Sequence, residues 1–197
     1  MTKTSRQFLV IVAALGLGLA LFGAFALREL SDRAEGQGVA RIGGPFELVA
    51  QTGEPFTDAS LKGRPHIVFF GYTHCPDFCP TTLTQISSVF GELGADAKIG
   101  ALFVSIDPQR DTPQAMKDYL ESFDPRIIGV TGSDAQIRAI AKAYKVYFRK
   151  QDGEGGAYTM DHTGVVYLMD ADGRFVNALN LERPAAQVAD ELRRYIQ

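Results

Sequence analysis

The sequence predicts an α/β sandwich built on a mixed sheet and preceded by one N-terminal transmembrane helix. Three observations predict it. Short apolar runs of strand length alternate with segments whose apolar residues recur at helical spacing. The last two runs are separated only by a turn, so a hairpin joins strands that helices connect. Twenty uncharged residues, Phe8–Leu27, precede all of this.

The apolar run is long enough to cross a hydrocarbon core of ~30 Å as a helix. Lys3 and Arg6 stand before it with no acid among them, which favours residues 1–7 in the cytoplasm. Ala24-Phe25-Ala26 has the form of a signal-peptidase site. The run exceeds the roughly 7–15 residues of a cleavable signal, however, and this favours an uncleaved single-pass anchor over residues 8–27. Either outcome exports the rest of the chain to the periplasmic side of an inner membrane, where thiols meet an oxidising compartment. Residues 28–44, polar and glycine-bearing, read as a linker, and residues 45–197 as one domain.

Within that domain "HIVFFGYT" (66–73) and "IGALFVSI" (99–106) are buried strands. Between them, after Pro80, Leu83, Ile86, Val89, Phe90 and Leu93 mark a helix. Asp111-Thr112-Pro113 opens the next, a capping residue before a proline at the first helical position. Ser133 and Gln136 form a capping box for a third. "GVVYLMD" and "RFVNALN" make the hairpin around Ala171-Asp172-Gly173, and a last helix follows Pro184. The order is thioredoxin-like. Forty-six per cent apolar and 22% charged residues are globular values. A formal charge of −3 argues against nucleic acid as a partner, because phosphate binding needs a basic face.

"GYTHCPDFCPTT" (71–82) holds both cysteines of the chain. Prolines at 76 and 80 bias Cys75 and Cys79 away from helical angles, placing the pair on a loop at the C-terminal end of a strand. Pro80 at the first helical position would set Cys79 beside a helix cap, where the dipole favours a thiolate. Three uses are open. A stapling disulfide closing about five residues would gain only roughly 2 kcal/mol. A redox pair would make the domain an exported thiol-disulfide oxidoreductase or redox sensor. A metal grip would suit a soft ion, and with one more ligand Cu(I); four thiolates for a cluster are absent.

Three histidines can supply that ligand. His66 opens a buried strand, where a hydrogen-bonded structural role is expected. His74 adjoins Cys75, and neighbours in extended backbone point to opposite sides. His162 starts a strand after "RKQDGEGGAY" (149–158), which reads as a glycine-rich polar loop. A lone histidine is more often structural than a ligand, so the residues alone do not choose. Asp107, before Pro108, reads as a turn or cap residue. "DADG" (170–173) lacks the glutamate of a calcium loop and is a hairpin turn.

"GYTHCPDFCPTTL", "VSIDPQRDTP" and "DHTGVVYLMDADGRF", in this order and spacing, resemble the Sco/SenC family of membrane-anchored copper proteins. The likeness runs from about Gly43 to the C-terminus. It implies a thioredoxin-like fold that binds copper, as Cu(I) or Cu(II), through Cys75, Cys79 and His162, with Asp107 and Asp161 also matched. It further implies a metallochaperone rather than an enzyme, one that helps assemble the binuclear copper centre of cytochrome c oxidase. The partners expected are the copper-receiving oxidase subunit and an exported thiol reductant, since thiols must be reduced before they bind metal. Thioredoxins place two residues between their cysteines and a proline opposite them. Here three intervene, and His162 stands near the proline's place.

Overall fold

A computed structural model describes residues 22–23 and 41–196. All of the expected anchor over Phe8–Leu27 but residues 22–23, and most of the linker, lie outside the described residues, among which no helix is long and apolar enough to cross a membrane. Arg41–Gln197 is one compact unit. Its strands are β1 (Glu47–Ala50), β2 (Pro55–Thr57), β3 (His66–Gly71), β4 (Gly100–Ser105), β5 (Ile127–Thr131), β6 (Phe148–Asp152), β7 (Tyr158–His162), β8 (Val166–Met169) and β9 (Phe175–Ala178). Its α-helices are α1 (Phe78–Leu93), α2 (Pro113–Leu120), α3 (Asp134–Ala143) and α4 (Ala185–Leu192).

Seven strands form one sheet in the order β2-β1-β5-β4-β3-β8-β9. β3, β4 and β5 run parallel, as strands joined through helices do, and the remaining pairings are antiparallel. The sheet is therefore mixed, and the fold is thioredoxin-like. β3 and β4 are buried at every position, which explains why they read as continuous apolar runs rather than alternating ones. Leu83, Ile86, Val89 and Phe90 form the buried face of α1, which packs against α4. The hairpin closes over residues 170–174, where Asp170 Oδ1 accepts from the Asp172 and Arg174 amides and Gly173 takes φ 79°.

Three expectations are corrected. Helix α1 begins at Phe78, with Asp77 as its cap, so Cys79 lies in the first helical turn rather than on a loop ahead of it. Pro80 is tolerated there because the first-turn amides have no intrahelical acceptor to lose. Residues 149–158 are not simply a loop: β6 and β7 pair from Phe148↔His162 to Asp152↔Tyr158, leaving only the tip irregular. His162 consequently ends a strand instead of starting one. β1, β2 and β5 were not foreseen, being three to five residues long with little periodicity to read.

The capping box at Ser133 forms as expected, Ser133 Oγ accepting from the Gln136 amide and Gln136 Oε1 from the Ser133 amide. Gln136 Nε2 also donates to the Glu47 carbonyl at 2.8 Å, tying α3 to β1. Ser133→Ala should therefore destabilise the domain by about 1 kcal/mol in urea unfolding. An unchanged midpoint would show that the box contributes nothing.

Candidate metal centre

The centre is built at the C-terminal ends of β3 and β4. β3 ends at Gly71, and the chain turns through Tyr72 and Thr73 to Cys75, whose amide donates to the Tyr72 carbonyl at 3.3 Å. Cys79 follows in the first turn of α1, its amide donating to Cys75 Sγ at 3.3 Å. Both thiols are free. The third member arrives from far along the chain. Antiparallel pairing of β8 with β3 sets Val166 opposite Phe69, so the residues leading into β8 reach the end of β3 where the cysteines begin. His162 Nε2 stands 3.8 Å from Cys79 Sγ. Cys75, Cys79 and His162 each present one ligand atom, all within 4.8 Å of one another.

The surroundings orient each donor. His162 Nδ1 lies 3.1 Å from the Thr163 carbonyl, which accepts only, so Nδ1 carries the proton and Nε2 is left with its lone pair toward the thiols. Burial holds the imidazole below its ordinary value, which keeps it neutral at pH 7. Phe69, Tyr72 and Phe78 surround the ring edge-on or tilted, with centroids 6.4, 6.2 and 5.9 Å away. Cys79 is fully buried and Cys75 half-buried. Burial pushes the Cys79 thiol up, opposite to the lowering expected from its helix terminus. Desolvation of a fully buried sulfur outweighs the helix dipole, which here adds only partial charges.

The other candidates stand apart. His66 is buried at the opposite end of β3, its Nδ1 3.3 Å from the Arg64 carbonyl, in the structural role expected of it. His74 is exposed, its Nδ1 2.9 Å from Thr73 Oγ. Asp161 is exposed beside Gln151 and Arg149. Asp107 does receive turn hydrogen bonds at its carbonyl, from the Arg110 and Asp111 amides. Its buried carboxylate also binds Arg110 and Tyr158, which no turn role accounts for.

Two supporting residues were not singled out from sequence. A Cβ at Gly71 would stand 2.7 Å from Cys79 Sγ and 2.7 Å from the Phe103 ring, so only glycine lets the sulfur lie against the strand. A glycine at the end of an otherwise apolar strand was the available signal. Asp111, read only as the start of a helix, is fully buried behind the cysteine loop. It accepts from Ser105 Oγ at 2.6 Å, Thr73 Oγ at 2.6 Å and the Thr73 amide at 3.2 Å.

Gly71→Ala should cost about 1–3 kcal/mol by overpacking and displace Cys79 Sγ. Urea unfolding together with metal titration checks this, and unchanged metal affinity would show that the sulfur's seat is not critical. For Asp111, burial raises the carboxyl above its ordinary 3.8 despite the opposing hydrogen bonds from Ser105 and Thr73. A carboxyl raised on folding stabilises fully below its unfolded pKa, and that share is lost as pH rises through the folded one. Asp111→Asn keeps an acceptor without a charge, so its stability relative to the original chain should increase from about pH 4 to about pH 7. Parallel stability curves would contradict this.

Comparison with known proteins places the chain among relatives of one family. The family model SCO1/SenC matches residues 34–197. A SCO2-like protein of Rickettsia conorii is 36% identical over 95% of each chain. The mitochondrial protein SCO2 of Saccharomyces cerevisiae is 39% identical over 85% of this chain, which spans 57% of that longer relative. Among solved structures, copper-bound ScoI of Bradyrhizobium japonicum superposes with a TM-score of 0.76 at 54% identity, covering 78% of this chain and 99% of its own. With the fold, the cysteine loop and these matches in agreement, the chain belongs to the SCO1/SenC family.

Proposed function

We propose that this protein is a membrane-anchored copper chaperone that delivers its cargo to the binuclear copper centre of cytochrome c oxidase. Residues 1–7 would lie in the cytoplasm and 8–27 in the membrane. Residues 28–44 would act as a linker, holding the 45–197 domain on the exported side. The observation that carries the reading is the convergence of Cys75, Cys79 and His162 within 4.8 Å. Two thiolates and an imidazole are the soft, incomplete donor set that Cu(I) accepts. Three donors on one ion at about 2.0–2.3 Å each are separated by roughly 4 Å, so the site closes on copper with a shift of under about 1 Å.

The site's exposure also fits a carrier. Cys79 is sealed under the helix, whereas Cys75 and His162 are reachable. An incoming ligand from the oxidase subunit would displace Cys75 or His162 first, and Cys79 last, so copper is passed by stepwise exchange without ever being free. The anchor restricts this encounter to the target's own membrane and raises the effective concentration of the two partners. Because Cys79 stays protonated at neutral pH, loading expels its proton, and apparent affinity should rise about tenfold per pH unit for each proton released.

Reduced protein should bind one copper ion, and Cys75→Ser or Cys79→Ser should abolish tight binding, a hydroxyl being a harder and less acidic ligand. His162→Ala should change the Cu(II) absorption spectrum strongly, while His66→Ala and His74→Ala leave it intact. Stoichiometric copper in the double cysteine variant would sink the reading. In cells, deletion should lower oxidase copper content when copper is scarce, with added copper restoring it. The two free thiols also admit a second reading, an exported thiol-disulfide oxidoreductase served by its own reductant. Normal oxidase copper with a disturbed thiol balance in the deletion strain would favour it.

A further inference from the structure

His162 is carried by a hairpin that does not belong to the main sheet. β6 and β7 pair only with each other, and among the described residues no backbone hydrogen bond links them to the seven-stranded sheet. On its C-terminal side His162 is tied to the main sheet by the three-residue connection to β8, whereas the rest of the hairpin is held to the sheet by side chains. Besides the rings that pack on His162 itself, a set of polar contacts lies at the far end of β7, on Tyr158.

Arg110, in the turn after β4, places its guanidinium 3.7 Å from the centroid of the Tyr158 ring. Its Nη1 donates to the Tyr158 carbonyl at 3.2 Å, and its Nε donates to Asp107 Oδ2 at 2.5 Å. Tyr158 completes the triangle by donating from its hydroxyl to Asp107 Oδ1 at 2.8 Å. The same guanidinium lies 5.7 Å from the ring of Tyr72, whose hydroxyl accepts from the Met160 amide at 3.3 Å. Asp107 is 3% exposed, so the ion pair is screened little by solvent. Arg110 Nη2 is buried with no partner, a cost tolerated while the other contacts hold the guanidinium in place.

We infer that Arg110 is a positioning residue for His162: by clamping Tyr158 to Asp107 it holds the β6–β7 hairpin against the C-terminal ends of β3 and β4 and so keeps the metal site three-coordinate. With the clamp open, the two cysteines, on β3's own continuation and α1, stay where they are. His162 then loses its fixed distance from them, leaving a two-thiolate site. Only Arg fills this role. A lysine has neither the fork that reaches Asp107 and the Tyr158 carbonyl together nor the planar face that covers the ring. This inference rests on the reading of His162 as a copper ligand.

The test uses full-length protein in detergent, reduced for Cu(I) competition titration, with a Cu(II) absorption spectrum recorded separately. The original chain, Arg110→Gln, His162→Ala and the double variant form a cycle. Arg110→Gln should weaken Cu(I) binding about 10–100-fold, as loss of a ligand's support does, and move the Cu(II) spectrum toward that of His162→Ala. The double variant should bind no more weakly than His162→Ala alone, because the clamp acts only through that histidine. Tyr158→Phe, which removes one hydroxyl and no packing, should shift affinity and spectrum the same way by less. Should Arg110→Gln not fold, Tyr158→Phe with and without His162→Ala completes the cycle. Affinity and spectrum unchanged in the folded variants, or losses that add to that of His162→Ala, would overturn the inference. If His162→Ala itself behaves as the original chain, the ligand reading fails first and the inference with it.

Discussion

The position of β3 between a parallel and an antiparallel neighbour is the constraint on which the rest of the structure depends. Parallel pairing with β4 sends the chain on from the same sheet end at Gly71 and at Ser105, so the cysteine loop and the Asp107–Asp111 turn emerge side by side. Antiparallel pairing with β8 brings the chain back to that end and delivers His162 eighty-three residues after Cys79. Loop-closure entropy grows only slowly with length, so the sheet's buried apolar strands can impose so distant a meeting. A one-residue slip in the β3–β8 register would turn every β8 side chain to the opposite face, and because all four are buried each would meet packing shaped for its neighbour.

Around that meeting point the domain places polar groups where they orient and apolar groups where they exclude water. Asp111 holds Thr73 and Ser105 from below, and Phe69, Tyr72 and Phe78 enclose the imidazole. The thiols differ accordingly, Cys79 buried against Gly71 and Cys75 half open. Burying a thiolate without a counter-charge is costly, so Cys79 waits as a neutral thiol until a cation compensates it. Under the proposed carrier function that asymmetry would let one sulfur retain the ion while the two half-buried donors exchange.

The histidine hairpin adds a second asymmetry, since its strands pair only with each other and reach the main sheet through side chains and the short connection into β8. An ion pair, a cation–π contact and a tyrosine hydroxyl converge on Tyr158, four residues from His162. A β-strand spans about 3.3 Å per residue, so this clamp acts over roughly 13 Å through a stiff lever. Asp107 and Arg110 thereby bear on the centre without touching it.

Much of this was legible without coordinates. Buried strands β3 and β4 declare themselves as apolar runs, the capped helices through Thr112 and Ser133, and the β8–β9 hairpin through its glycine turn, because each signal is local and chemically specific. The motif around Cys75 and Cys79, with its distant Asp161-His162, was enough to indicate the family. Only the tertiary structure decided what burial decides. It put Cys79 inside the first turn of α1 and raised its thiol, because desolvation depends on what packs over the sulfur and no spacing rule reports that. It paired residues 148–152 with 158–162, since a polar, half-exposed hairpin carries no apolar period to read. It also joined Asp107, Arg110 and Tyr158, whose partnership spans about fifty residues and exists only once the sheet has closed.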